Sequence, residues 1–187
     1  MARFTIDDFV RVLPAGTSHV TEPFKKRMSS KPKFLADAML GNIARKLRLL
    51  GFDCKYFATI DDDQLLSIAK IENRILVTRD RNITNICKKQ NIHAIDLSNM
   101  NEISQIVEIY KKTNLNRCKI DMNDIRCTIC NGIIQSIEKE KIIDHIPDKV
   151  AQNMQQFWIC SSCNHIYWEG THIRNLQKFI DEVNERL

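Results

Sequence analysis

Short apolar runs alternate with amphipathic helical patterns between residues 33 and 112, and this alternation restricts the fold more than any other feature. The pattern predicts strands at residues 33–37, 53–58, 75–78 and 93–97. It predicts helices at residues 38–50, from residue 61, at residues 82–90 and at residues 101–112. Each strand that returns parallel to the one before needs a crossover helix. We therefore predict an α/β fold with a parallel sheet flanked by helices.

Acidic residues follow the predicted strands at the points where the strands end. Asp37 and Asp80 come directly after apolar runs, and the run Asp61–Asp63 opens the second helix. The carboxyl ends of parallel strands share one sheet edge, where binding sites are usually built. Carboxylates that converge there typically hold Mg²⁺ or Mn²⁺. Asp96, near the end of the fourth strand, is a weaker additional candidate.

Each of these acids has a second interpretation, because aspartate is also a common helix N-cap. Asp37 and Asp80 both precede predicted helices, and the same applies to Asp61–Asp63. What favours a functional site is the recurrence of acids at three places on one edge. The sequence alone leaves both interpretations open for each residue.

Basic residues accompany the acids and fit a polyanionic partner. The net charge of the chain is +5, and residues 31–126 contain 17 basic and 12 acidic residues. Arg45 and Arg48 lie on one stripe of the first helix, and Arg81 follows Asp80. Arginine can bind a phosphate through two parallel hydrogen bonds. We expect these three arginines to contact RNA, although solvated surface arginines would show the same pattern.

Four of the seven cysteines form two CxxC pairs separated by 29 residues. Cys127, Cys130, Cys160 and Cys163 are soft ligands suited to tetrahedral zinc, and a complete Cys₄ set makes that zinc structural. The other cysteines are expected to be ordinary thiols. The aromatic residues beside the second pair are interpreted as the core of a small zinc ribbon, with base stacking as the alternative. The cysteine pattern favours a reducing compartment, so we expect a cytoplasmic protein.

The chain divides into five predicted parts. Residues 1–30 form an N-terminal extension of unknown role, and residues 31–114 form the α/β domain. Residues 115–126 have no clear period and are predicted to be a linker. The zinc ribbon follows at residues 127–170, and residues 171–187 form an amphipathic C-terminal helix packing back onto the body. No apolar run approaches the ~18 residues of a membrane span.

Several motifs together resemble one family. They are FLADAMLGNIARKLRLLGFD, IDDDQLLSIA, RILVTRDRNI and FWICSSCNHIYWEGTH, in this order along the chain. They are similar to the Mut7-C family of PIN-like ribonuclease domains with a fused zinc ribbon. The resemblance implies a PIN-like fold and a metal-dependent ribonuclease site. The resemblance implies that Asp37, Asp62 and Asp80 are the catalytic acids. Asp63 is the alternative to Asp62 in the acidic run.

The predicted function is hydrolysis of RNA phosphodiester bonds through an acidic Mg²⁺ or Mn²⁺ site, with zinc in the ribbon. Single-stranded or loop RNA is the expected substrate, since paired bases do not splay readily into a carboxylate pocket. The alternative is a non-catalytic RNA- or ribosome-binding protein, or an rRNA-processing factor, with the same architecture. A protein-interaction module is a third class. We expect no membrane partner.

Overall fold

The computed structural model describes residues 31–121, 123–168 and 171–187. The predicted extension, residues 1–30, lies outside the described residues. The first unit has four strands, which run β1 Phe34–Ala36, β2 Cys54–Tyr56, β3 Ile75–Thr78 and β4 Ala94–Asp96. Its helices are α1 Gly41–Leu49, α2 Asp62–Ile71, α3 Arg81–Lys89 and α4 Glu102–Lys112. The strands pair in the order β2-β1-β3-β4, all parallel. This confirms the predicted fold class.

Helices cover both faces of this sheet. On one face, Phe34 and Ala36 pack with α1 and α4 in a first core cluster. On the other face, Leu35 and Leu76 pack with α2 and α3 in a second core cluster. Successive residues of a strand point to opposite faces, so a sheet buried on both sides needs uninterrupted apolar runs. That requirement explains the apolar sequences of the central strands β1 and β3, whereas the outer strands β2 and β4 include the charged residues Lys55 and Asp96.

The observed elements are shorter than the predicted ones at several ends. The predicted helix at residues 38–50 is divided into a 3₁₀ turn, Ala38–Leu40, and α1. The turn begins immediately because the side chain of Asp37 accepts a hydrogen bond from the backbone N–H of Ala38. The apolar periodicity of residues 38–50 does not distinguish a 3₁₀ turn from the first turn of an α-helix.

The second unit is a small antiparallel sheet built on the two cysteine pairs. Its strands are β5 Ile134–Ile137, β6 Phe157–Cys160 and β7 Ile166–Trp168, paired in that order. Two 3₁₀ turns, Lys139–Lys141 and Ile143–His145, and helix α5, Asp148–Asn153, lie between β5 and β6. The aromatic side chains of Phe157, Trp158 and Tyr167 are buried here. They form the core of the unit, as the favoured interpretation predicted.

The chain between the two units is packed against the body. Cys118, within the predicted linker, is buried, and its backbone N–H and C=O bond the side-chain amide of Asn184, both at 2.9 Å. Asn184 ends helix α6, Thr171–Asn184, whose Ile180 and Val183 join the first core cluster. The C-terminal helix therefore packs back onto the first unit. Among the described residues, no helix combines the length and apolarity needed to cross a membrane.

Candidate active site and metal centre

Asp37 and Asp80 are connected through one buried hydroxyl at the carboxyl edge of the sheet. Thr78, the last residue of β3, donates its hydroxyl to Oδ2 of Asp37 at 2.7 Å. The same hydroxyl oxygen accepts the backbone N–H of Asp80 at 2.9 Å. Thr78 is completely buried, whereas both carboxylates are partly exposed. The neighbouring central strands β1 and β3 thus hold two acids in a fixed relation at the edge.

Both acids also cap helices, so the alternative interpretation is correct in part. Oδ1 of Asp37 accepts the N–H of Ala38 at 2.6 Å, and Oδ1 of Asp80 accepts the N–H of Asn82 at 2.7 Å. An ionised carboxylate offers about four lone-pair sites, so these bonds leave each acid able to accept further ligands.

The acidic run at the start of α2 separates into two roles. Asp61 is the N-cap, and its Oδ1 accepts the N–H of Gln64 at 2.8 Å. Asp62 and Asp63 lie exposed in the first helical turn. Because β2 runs parallel to β1, the start of α2 lies towards the same sheet edge as Asp37. Asp62 and Asp63 therefore lie at the end of α2 nearest this edge, and the capping bond is made by Asp61 instead.

Asp96 ends β4, opposite Thr78 in the strand register. Its Oδ1 accepts the N–H of Ser98 at 2.7 Å, and its Oδ2 lies 3.8 Å from Nε of Arg81. Burial alone would raise the pKa of Asp96, but the hydrogen bonds from Ser98 and the nearby cations lower it below its ordinary value. Asp96 is therefore held ionised on the outer strand of the same edge.

The acids do not chelate a common point by themselves. Among the side chains that the structure describes, only the cysteine cluster brings three or more metal-ligating groups within 4.8 Å of one another. Asp37, Asp62 and Asp80 do not form a group this tight. The structure thus fixes Asp37 and Asp80 around Thr78 and leaves Asp62 on the adjoining helix.

The three predicted RNA-binding arginines have different environments. Arg81 is 69% exposed at the start of α3, where Nε also donates to Ser98 at 3.2 Å. Arg45 is half-buried on α1. An added Cβ on Gly41, near Arg45 on the same helix, would lie 3.0 Å from the hydroxyl of Tyr56, so the tyrosine side chain would have to shift. The small residue therefore serves packing between α1 and β2.

Arg48 requires a correction, because it does not face solvent. Its side chain is 4% exposed, and Nε donates to the carbonyl of Cys54 at 2.9 Å. Nη1 donates to the carbonyls of Thr128 and Ile129 at 2.7 and 3.2 Å. The predicted RNA contact of Arg48 is therefore wrong, since its guanidinium joins the sheet to the first cysteine knuckle. The stripe of arginines on α1 suggested an exposed surface, but the second unit covers the part of the helix that carries Arg48.

The four cysteines lie together as a metal site requires. The Sγ atoms of Cys127 and Cys163 are 3.5 Å apart, and those of Cys130 and Cys160 are 3.4 Å apart. Tetrahedral zinc with bonds of about 2.3 Å separates its sulfur ligands by roughly 3.8 Å, so the cluster fits this ion closely. Gly132 permits the approach, because a Cβ there would lie 2.8 Å from Sγ of Cys160.

The remaining cysteines are buried thiols, as expected for residues outside a metal site. Burial raises the pKa of Cys54 to about 12, and it also raises the pKa values of Cys87 and Cys118. Thiols with raised pKa values are poor nucleophiles at neutral pH. These residues therefore act as small apolar side chains.

Comparison with known families identifies this arrangement. Residues 32–180 match the family model described as the Mut7-C RNAse domain. The chain belongs to the Mut7-C RNAse domain family. The match includes the acidic sheet edge and all four cysteines, so family membership covers both candidate sites. A search of curated proteins found no match.

One cysteine of the cluster, Cys127, accepts a hydrogen bond from a buried tyrosine hydroxyl. The hydroxyl of Tyr167 donates to Sγ of Cys127 at 3.2 Å and accepts the N–H of Thr128 at 3.1 Å. Burial would raise the pKa of Cys127, but hydrogen bonds from Tyr167 and from backbone N–H groups lower it. Such bonds favour the thiolate, which is the form that binds metal.

A polar network joins the first knuckle to the sheet, and the sequence analysis missed it. Asn131, which follows Cys130 with a φ of 67°, accepts the N–H of Cys54 through Oδ1 at 3.0 Å. Its Nδ2 donates to Asp53 at 2.7 Å, and Arg74 donates to both oxygens of Asp53 at 2.8 and 3.2 Å. An Asn directly after a CxxC pair is compatible with a left-handed turn. The sequence contains no signal that this turn meets β2.

Thr78 is the second residue that the sequence analysis missed. Its signal was present, since a hydroxyl ends the apolar run two residues before Asp80. A buried hydroxyl at a strand end needs a hydrogen-bond partner, and a nearby acid can provide one. The candidate site is therefore a unit of two acids and one threonine, with Asp62 and Asp63 on the flanking helix.

Proposed function

We propose that this Mut7-C protein is a metal-dependent ribonuclease whose active site is the acidic sheet edge. The observation that carries the proposal is the Asp37–Thr78–Asp80 unit, because it places two partly exposed carboxylates at the carboxyl edge of a parallel sheet. Family membership supplies the ribonuclease class. The excess of bases in residues 31–126 fits a polyanionic substrate.

The donor set fits a hard divalent cation. Asp37 and Asp80 present oxygen atoms with unused lone pairs, and Asp62 lies on the adjoining helix with its carboxylate exposed. Mg²⁺ or Mn²⁺ bound here would provide Lewis acidity and lower the pKa of a bound water. The spacing of the acids suits an ion that retains several waters, as Mg²⁺ does. Asp63 and Asp96 are additional acids that can orient such waters.

Each residue of the unit has a role that its contacts support. The Thr78 hydroxyl fixes the orientation of Asp37, while the backbone of Asp80 is held by the same oxygen. Arg81, exposed beside Asp96, can bind a phosphate of the substrate, and Arg45 is a second candidate on α1. The ribbon binds zinc through its four cysteines and supports the fold. The site of action is expected to be the cytoplasm.

Flanking RNA has a basic path beside the acids. A cleft of about 460 Å³ lies between α3, β4 and α4, and its walls include Arg81, Lys88 and Lys112. Glu108, which pairs with Lys112, and Asp96 moderate its charge. Three cations against two anions leave a small positive excess in the cleft, which fits a phosphate backbone.

Cleavage of a labelled single-stranded RNA by wild type and Asp37→Asn tests the proposal. Both proteins are loaded with zinc and assayed with and without added Mn²⁺, so that the ribbon metal stays in place. Asp144→Asn makes the same chemical change at an exposed residue of the ribbon and serves as the control. We expect metal-dependent cleavage by wild type and Asp144→Asn only. Equal cleavage by Asp37→Asn would refute the assignment of the site.

A non-catalytic RNA- or ribosome-binding role is the second candidate. It is favoured by one observation, namely that the described acids do not form a group within 4.8 Å of one another. Under this proposal the wild type binds the RNA in filter or fluorescence assays but leaves it intact with Mn²⁺. The same experiment therefore decides between the two candidates.

A further inference from the structure

Two large apolar side chains are exposed beside the acids of the sheet edge. Met39, in the turn after Asp37, is 59% exposed, and Phe57, directly after β2, is 38% exposed. We propose that Phe57, supported by Met39, is a stacking platform for an unpaired nucleobase of the RNA next to the phosphate that is cleaved. The proposal rests on the ribonuclease function and identifies a residue that selects its substrate.

The strand register places Phe57 beside Asp37. Ala36 and Tyr56 are the last paired residues of β1 and β2, so Asp37 and Phe57 are the next residue on each neighbouring strand. The two residues therefore leave the sheet side by side at its carboxyl edge.

Alternation of side chains puts the two residues on the same face. Ala36 and Tyr56 point into the first core cluster, and Leu35 points into the second. The residues after Ala36 and Tyr56 therefore turn to the second-cluster face, where α2 and α3 begin. Thr78 faces the same way, as its bond to Asp37 confirms. Phe57 thus belongs to the face that carries the acids.

The groups along this sheet edge match the three parts of a nucleotide. The acids suit a metal at the reacting phosphate, and Arg79 and Arg81, which are exposed after β3 on the other side of β1 from Phe57, suit phosphates further along the RNA. The remaining requirement is a flat apolar surface for the base, and an exposed phenyl ring provides it. Isolated exposed apolar residues are common, and Ile71 at the far end of α2 is 80% exposed. Its position next to Asp37 in the strand register distinguishes Phe57.

This arrangement predicts a preference for unpaired RNA. A base in a duplex is stacked on its neighbours and cannot cover a side chain. Every base has a π-face, so a phenyl platform binds all four bases with small differences. We therefore expect a nuclease that requires an unpaired base near the cut and shows little sequence specificity.

The test compares Phe57→Ala, Phe57→Leu and Phe57→Trp with wild type on one single-stranded RNA. Ile71→Ala removes an exposed apolar side chain away from the acids and is the matched control. We expect kcat/KM to fall by about 10-fold or more in Phe57→Ala, to fall similarly in Phe57→Leu, and to be retained in Phe57→Trp. Unchanged melting temperatures establish that these variants remain folded. Equal kcat/KM for wild type and Phe57→Ala would overturn the proposal.

A second substrate series separates stacking from other effects. Abasic nucleotides are placed one at a time along the same RNA, and wild-type cleavage is expected to drop where the missing base adjoins the cut. On that abasic substrate, wild type and Phe57→Ala should be equally slow. A persistent difference between them would show that Phe57 acts through something other than a base.

Failure of the ribonuclease function is distinguishable from failure of this inference. If the wild type does not cleave any RNA with Mn²⁺, the proposed function fails, and single-strand binding then tests the platform. Weaker RNA binding by Phe57→Ala than by Ile71→Ala would still support stacking. Equal binding by the two variants would overturn it.

Discussion

Replacement of Arg48 separates a structural role from an RNA contact more sharply than any other substitution. The side chain is 4% exposed and donates three hydrogen bonds, to the carbonyls of Cys54, Thr128 and Ile129. Arg48→Met keeps much of the aliphatic length but removes every donor. The carbonyls of Cys54 and Thr128 then lose a charged partner in a buried place.

The magnitude follows from these contacts. A hydrogen bond to a charged group contributes about 1.5–3 kcal/mol to stability. A buried acceptor left without a hydrogen bond lowers the free energy of unfolding further. Because the bond at 3.2 Å is longer and carries less, we expect Arg48→Met to lower the free energy of unfolding by about 3–5 kcal/mol. For a chain of this size, that corresponds to a melting temperature lower by roughly 6–20 °C.

Thermal unfolding followed by circular dichroism, at a fixed zinc concentration, measures the effect. Arg81→Met is the control, because that side chain is 69% exposed and its loss should change stability by less than about 0.5 kcal/mol. Arg48→Lys restores one flexible donor and should fall between wild type and Arg48→Met. The reasoning is refuted if Arg48→Met has the same melting temperature as the wild type but binds RNA more weakly.

Three further predictions concern the acids and the ribbon. Thr78→Val removes the hydroxyl that orients Asp37 and should lower the rate of metal-dependent cleavage by about 10–100-fold. Thr78→Ser keeps a hydroxyl and should retain most of the wild-type rate, and steady-state kinetics measures both variants. Removal of zinc from the ribbon with a zinc-selective chelator should lower the melting temperature, because metal binding by the Cys₄ cluster is expected to supply much of the folding free energy of its unit. It should also release one zinc ion per chain, which a colorimetric zinc assay counts. Burial would raise the pKa of Asp53, but the hydrogen bonds from Arg74 and Asn131 lower it, so its stabilisation is present above the unfolded pKa of about 3.9 and is lost as pH falls through the folded value. Urea unfolding should therefore show a gap in the free energy of unfolding between wild type and Asp53→Asn at pH 7 that begins to narrow below about pH 4 and narrows further as pH falls through the lower folded pKa. A constant gap would contradict this linkage.

The sequence was sufficient for features that follow from local pattern. The alternation of strand and helix patterns predicted the four parallel strands, and β3 was predicted with its observed bounds of Ile75–Thr78. The CxxC spacing predicted the cysteine cluster, since each pair forms a knuckle with two ligands. These features depend on periodicity and spacing, which are properties of short segments.

Features that depend on contacts between distant segments were not predictable. The burial of Arg48 depends on carbonyls 80 and 81 residues further along the chain. Asn131 reaches β2 across 77 residues in the same way. A helical stripe shows which residues share a face, but not what covers that face. This is why one of the three arginines was assigned to RNA when it holds the two units together.

Capping and metal binding, treated as alternatives for a single acid, are compatible in this structure. Asp37 uses Oδ1 for the backbone of Ala38 and Oδ2 for the Thr78 hydroxyl, and a carboxylate that accepts two hydrogen bonds keeps two lone-pair sites. The capping bond fixes where the carboxylate lies, and the threonine bond fixes its rotation. A ligand held by two bonds loses little conformational freedom when a cation binds, which strengthens binding. Under the proposed function, the capping bonds of Asp37 and Asp80 would therefore contribute to cation binding at this edge.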